Sequence, residues 1–122
     1  MWADMVIASR TSNYRSPLLP QHASGVALSL LVQGLAKNQQ LQVVTKGKPT
    51  IDPQVTSLSP SRTPTKATVS DCFNATDWLE YKTGGGLYNT TPGGLHETTA
   101  IVVDTNGIWK VNQLAVQASG TC

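Results

Sequence analysis

The chain has 122 residues, 39% of them apolar and 13% charged, with a formal net charge of +2. That length supports one domain with a core of its own, and that composition excludes disorder throughout. The basic residues are few and dispersed, which argues against a nucleic-acid surface, and no apolar run approaches the roughly 20 residues of a membrane-spanning helix.

Trp2, Met5, Val6 and Ser9 recur at helical spacing, so a short helix is predicted over Ala3 to Ser9, broken by Thr11-Ser12-Asn13. The first five residues lack the basic and apolar regions of a signal peptide. Ser16 before Pro17 reads as an N-cap with proline at the first helical position, and Pro20 fits the first turn. The main helix is predicted over His22 to Asn38, where Val26, Leu28, Leu30, Leu31 and Leu35 form a broad apolar face. Gly25 and Gly34 weaken it by about 1 kcal/mol each relative to Ala. Their small size would let a strand come close.

Strands follow. Leu41 to Lys46 alternates weakly, and Thr50 to Leu58 reads as a strand with Pro53 near its start or on an edge. Thr65 to Phe73 alternates cleanly, with Ala67, Val69, Asp71 and Phe73 on one face. Trp78 to Lys82 is another short strand. Gly84 to Gly94 is glycine-rich and reads as a long hairpin tip; it lacks the Gly-Lys-Ser/Thr ending of a phosphate-binding loop. In the last stretch, Asn106-Gly107 between apolar runs signals a hairpin. The second strand changes phase between Val111 and Leu114, which predicts a β-bulge near Asn112-Gln113. Helices first and antiparallel strands after them give an α+β fold, with the N-terminal helices packed on the concave face of a curved antiparallel sheet.

Candidate functional residues are few. Asp71 shares a strand face with Val69 and Phe73, so its carboxylate must pair, accept hydrogen bonds or shift its pKa. It reads either as an acid/base in a pocket, with Tyr14 or Tyr81 as hydrogen-bond donor, or as a structural Asp tying down a turn or pairing with Arg15. Trp2, Trp78, Trp109 and Phe73 could line a pocket or simply fill the core. His22 and His96 have no spacing that links them to a metal site or a triad. Asn74-Ala75-Thr76 and Asn89-Thr90-Thr91 match the glycosylation pattern, which is short enough to arise by chance. Cys72 and Cys122 lack zinc-site spacing. Low charge, abundant polar uncharged residues and a cysteine at the last position favour a Cys72–Cys122 disulfide in an exported protein, the alternative being two thiols in a cytosolic one.

The combination of Ser16-Pro-Leu-Leu-Pro-Gln-His-Ala-Ser-Gly-Val-Ala-Leu28, Gly47-Lys-Pro49, Val55-Thr-Ser-Leu58, Ala67-Thr-Val-Ser-Asp-Cys-Phe73, Asp77-Trp78, Thr98-Thr-Ala100, Gly107-Ile-Trp-Lys-Val111 and Gly120-Thr-Cys122 resembles the nuclear-transport-factor-2-like (cystatin-like α+β) superfamily. Within it the chain is similar to small exported or lipoprotein-type proteins of actinobacteria without an assigned function. The resemblance runs over nearly the whole of 1–122, as a single domain. It implies a cone: a bent antiparallel sheet packed on the long helix. The Asp71-Cys72 pair with a terminal Cys122 is its most specific part, and it raises the disulfide reading. The first helix is shorter than the usual one, so the cone is expected to be partly open or completed by residues outside this sequence.

The resemblance implies no single activity, since the superfamily holds isomerases, cyclases, dehydratases and interaction domains. The expectation is a non-catalytic extracytoplasmic module, with no cofactor and no metal, binding an unknown protein or a small apolar ligand in the mouth of the cone. A homodimer through the outer sheet face is compatible with this, as is a signal or lipid anchor upstream. The rivals are an isomerase- or cyclase-type enzyme using Asp71 with Tyr14 or Tyr81, and a docking subunit of an envelope or secretion assembly.

Overall fold

The architecture is taken from a computed structural model that describes residues 1–122. Three helices come first: α1 (Trp2–Ser9), α2 (Leu19–His22) and α3 (Gly25–Leu41). Six strands follow: β1 (Val43–Gly47), β2 (Gln54–Ser59), β3 (Lys66–Asn74), β4 (Trp78–Lys82), β5 (Leu95–Thr105) and β6 (Ile108–Val116). Strands β2-β3-β5-β6 form one antiparallel sheet, and β1 pairs with β4 in a second. No helix is long and apolar enough to cross a membrane.

Helix α1 ends at Ser9, and the chain turns away at Ser12, which adopts positive φ. Two hydroxyls tie this end to β1: Ser9 Oγ lies 2.5 Å from Thr45 Oγ1, and Ser12 Oγ donates to the Val43 carbonyl. These bonds satisfy polar groups that would otherwise be costly to bury.

The next segment departs from the sequence reading. Ser16 does not cap a helix beginning at Pro17. Its Oγ accepts the Leu18 N–H in a local turn, and α2 spans only Leu19–His22, with Pro20 in its first turn. Likewise the main helix does not begin at His22. Ala23 is extended and forms a parallel bridge to Val111, and the Ser24 N–H donates to the Val111 carbonyl at 2.8 Å. Helix α3 therefore starts at Gly25 and runs through Leu41. A tertiary strand contact overrides local propensity at its front. At its back, Leu41, expected in a strand, closes the last turn before left-handed Gln42.

The bulge in the last hairpin sits where the phase change places it. Ile101 pairs with Gln113 and Val102 with Val111, leaving Asn112 unpaired in the ladder. Asn112 Nδ2 donates to Ser24 Oγ at 3.3 Å, and Gly25, at φ +53°, lies so close that a Cβ there would meet Asn112 Nδ2 at 2.6 Å. The bulge thus holds the front of α3 against β6. Gly34 plays no such part, since space around it is open. The hairpin tip uses Asn106 and Gly107, both at positive φ, as the Asn-Gly signal requires.

Residues 83–94 are not the tip of a hairpin, because the strands they join, β4 and β5, belong to different sheets. The start of this segment folds back on β4 instead: Lys82 N–H donates to the Gly86 carbonyl and Tyr88 N–H to the Glu80 carbonyl.

The main apolar core lies at the helical end. Ala8, Leu19, Ala23, Leu31 and Leu35 are buried together, with Met5, Tyr14, Leu28 and Leu114 packed around them. On α3 the buried positions are Ala27, Leu31 and Leu35, one residue per turn, while Val26 and Leu30 are exposed. The apolar stripe is narrower than the sequence suggested. Helix α3 rests on β6 and β1, so the β2 side of the sheet is left uncovered.

Candidate functional site

Strand register assigns the two faces of the four-stranded sheet. Opposite Val69 stand Val55 on β2 and Ala100 on β5; opposite Ala67 stand Leu58 and Val102; opposite Asp71 stands Thr98. Ala100 and Val102 face Leu114 and Val111 on β6. All these side chains therefore share the inner, concave face. The other face carries Ser57, Thr68, Ser70, Glu97, Thr99, Lys110 and Gln113, with Leu95, Ile101, Val103, Ile108 and Ala115 its apolar exceptions. The apolar face is the one left open: Val55 is 61% exposed and Leu58 49%.

A half-open cavity of about 390 Å³ occupies this face. Its floor is Val69, Ala100, Val102, Val111 and Leu114, and its walls come from the start of α1, including Trp2, and from Ile51 and Pro53 ahead of β2. Apart from Pro53, the only lining residues that are not hydrophobic are Asp71 and Thr98.

Asp71 is buried, with 9% exposure. Its Oδ1 accepts the Asp52 backbone N–H at 2.9 Å, which pins the segment leading into β2. No Arg or Lys pairs with it, and the ion pairs of the chain involve Asp4 instead. Asp71 Oδ2 takes no hydrogen bond and is not fully enclosed, and its residue lines the cavity. Thr98 Oγ1 donates to the His96 carbonyl.

The tyrosines proposed as partners of Asp71 are elsewhere. Tyr14 packs against the helical core beneath Arg15, and Tyr81 lies on β4, in the other sheet, beneath Lys46. Neither lines the cavity, and Arg15 does not pair with Asp71. The structure thus separates the three residues of the acid/base constellation.

Trp2, Phe73 and Trp78 form an aromatic cluster, with ring centroids 4.5 Å apart for Trp2 and Phe73 and 6.0 Å for Phe73 and Trp78. Trp78 Nε1 donates to Thr45 Oγ1 at 3.1 Å. Trp2 borders the apolar cavity, whereas Phe73 and Trp78 border a larger, more polar cleft of about 480 Å³ that includes His96, Asn89 and Glu80. Trp109 joins neither. It stands opposite Asp104 at the hairpin end, 40% exposed.

Cys72 and Cys122 form a disulfide, with Cα atoms 5.9 Å apart, which fastens the C-terminal residue to β3. Cys72 points away from the cavity, on the opposite strand face to Asp71 and Phe73. Both asparagines of the glycosylation pattern are engaged locally: Asn74 Oδ1 accepts the Thr76 N–H and Asn89 Oδ1 the Thr91 N–H.

Sequence reasoning missed the pair formed by Asp4 and His22. Asp4 Oδ2 lies 2.7 Å from His22 Nδ1 and clamps α1 to α2. Their separation of 18 residues carries no local signal. Asp4 also lies 3.9 Å from the Met1 amine, whose pKa burial lowers while Asp4 opposes the shift. The cavity floor was half legible. Alternation over Thr98 to Asp104 puts Ala100 and Val102 on one face of a strand, but only their pairing with Val69 and Ala67, in line with Thr98 and Asp71, shows that this face is the inner one.

No protein-family model and no curated protein matches the chain. Among solved structures, the intermembrane space region of the chloroplast protein ARC6 aligns over 96% of this chain and 95% of its own, at a TM-score of 0.51 and 19% identity. A protein of unknown function with a cystatin-like fold from Nostoc punctiforme aligns over 98% of this chain and 86% of its own, at a TM-score of 0.53 and 12% identity. The fold is cystatin-like. At such identities the likeness extends to the fold alone, and the cavity has to be interpreted from its own chemistry.

Proposed function

We propose that this chain is a non-catalytic extracytoplasmic binding module that takes a small apolar ligand into the cavity on the concave sheet face. The observation that carries this reading is the inverted exposure of the sheet. Its apolar side is open and concave, whereas its convex side is largely polar. An uncovered apolar concavity of this size is the usual form of a small-ligand site.

The compartment is part of the proposal. The disulfide suits an oxidising environment. A similar structure is described as an intermembrane space region, which agrees with a domain working outside the cytosol. Membership of the nuclear-transport-factor-2-like superfamily, and within it of the exported or lipoprotein-type actinobacterial group, belongs to the same reading, as does docking in an envelope assembly. The catalytic alternative retains Asp71 in the cavity but lacks Tyr14 and Tyr81 beside it.

Titration with the neutral apolar dye Nile red tests the site. Wild-type protein is expected to bind the dye saturably, with a blue-shifted emission. Ala100→Trp, which fills the cavity floor, is expected to abolish binding while the far-UV circular dichroism stays native. Failure of the wild type to bind, or equal binding by a folded Ala100→Trp variant, rejects the proposal.

A further inference from the structure

The polar groups of the cavity point to the charge of its ligand. Resting on the binding role proposed above, we infer that the ligand is an organic cation, an apolar body bearing a protonated amine, held by Asp71 Oδ2.

Three observations converge. First, Asp71 is the one charged side chain lining the cavity, nine-tenths buried, and it has no cationic partner. An ionised carboxylate in such surroundings is expensive unless a positive charge approaches it. Second, the hydrogen-bonding capacity left on the side chains of the cavity is acceptor-only, and the amine of Met1, another lining residue, lies 3.9 Å from Asp4. Asp71 Oδ1 is already occupied by the Asp52 N–H, which leaves Oδ2. Thr98 spends its hydroxyl proton on the His96 carbonyl, so its oxygen can only accept. To bond these two side chains a ligand brings N–H or O–H donors, and a carboxylate or phosphate at Asp71 would meet like charge. Third, Trp2 lines the same cavity, and an aromatic wall favours a cation over a neutral group. Together these features match an ammonium head with a hydrocarbon body: the charge meets Oδ2 in a charge-assisted hydrogen bond, and the hydrocarbon covers Val69, Ala100 and Val102.

Asp52 enters as a positioning residue through its backbone. By holding Oδ1, its N–H orients the carboxylate and leaves Oδ2 as the free acceptor.

The test is calorimetric titration of the wild-type protein and of Asp71→Asn with three probes that share one chain: octylammonium, octanol and octanoate, each below its micellar concentration. The wild type is expected to bind octylammonium at least tenfold more tightly than octanol, and octanoate most weakly. Asp71→Asn keeps an acceptor for the Asp52 N–H, and it is expected to bind octanol as the wild type does while the preference for octylammonium falls below threefold. That unchanged octanol binding also shows that the variant is folded. If wild-type protein binds octanol and octylammonium equally, or octanoate as well as either, the cation assignment is wrong while the apolar site stands. If Asp71→Asn retains the full preference, Asp71 is not the acceptor. If none of the three binds and Nile red does not either, the site itself is refuted.

Discussion

Asp71 Oδ1 accepts the backbone N–H of Asp52 across 19 residues of sequence, at 2.9 Å. One bond thus joins the middle of β3 to the segment that supplies Ile51 and Pro53 to the cavity wall. Removing the acceptor with Asp71→Ala is expected to cost about 1.5–3 kcal/mol, the range for a hydrogen bond to a charged group. Asp71→Asn retains an acceptor and should cost less than about 1.5 kcal/mol. Urea denaturation of both variants checks the order. Equal losses would mean that the bond contributes little and that the charge alone matters.

The two helical glycines should respond in opposite directions. Gly25 sits at positive φ against Asn112, so Gly25→Ala meets both backbone strain and a clash, and should destabilise by more than about 1 kcal/mol. Gly34 lies inside α3 with open space around it, so Gly34→Ala should stabilise by about 0.5–1 kcal/mol. Thermal melts of the pair would contradict the docking of α3 on the bulge if both changes had the same sign.

The Cys72–Cys122 bridge closes a loop with a sequence separation of 50. The chain-entropy relation gives such a cross-link about 4 kcal/mol, so Cys122→Ser should lower stability on that scale. Intact-mass analysis after alkylation without reductant should show no labelled thiol in the wild type. Two labelled thiols would refute the bridge and remove the main support for an oxidising compartment.

On α3, burial separates residues that look alike in sequence. Leu35 is fully buried and Val26 is exposed. Leu35→Ala should cost about 2–5 kcal/mol through lost burial and a cavity. Val26→Ala should stay within about 0.5 kcal/mol, as for ordinary surface changes. Comparable losses in denaturant titrations would show that α3 does not turn Leu35 inward and Val26 outward.

Much of the secondary structure is written locally. Alternation over β3, the Asn-Gly tip and the phase change at Asn112 follow from steric and patterning rules that need only neighbouring residues. The α+β order of elements is also local information, as is the placement of Asp71 among apolar neighbours on its strand. What lay beyond reach depended on contacts between distant segments. The true start of α3 is decided by Val111, the separation of β4 from the main sheet by its pairing with β1, and the clamp on α1 by Asp4 and His22. The site follows the same division. A single strand shows two faces but does not say which is inside, and it does not say where a helix stops covering it. Only the packing of α3 on β6 and β1 leaves the concavity by β2 open, and only the placement of Tyr14 and Tyr81 elsewhere leaves Asp71 without a phenolic donor beside it.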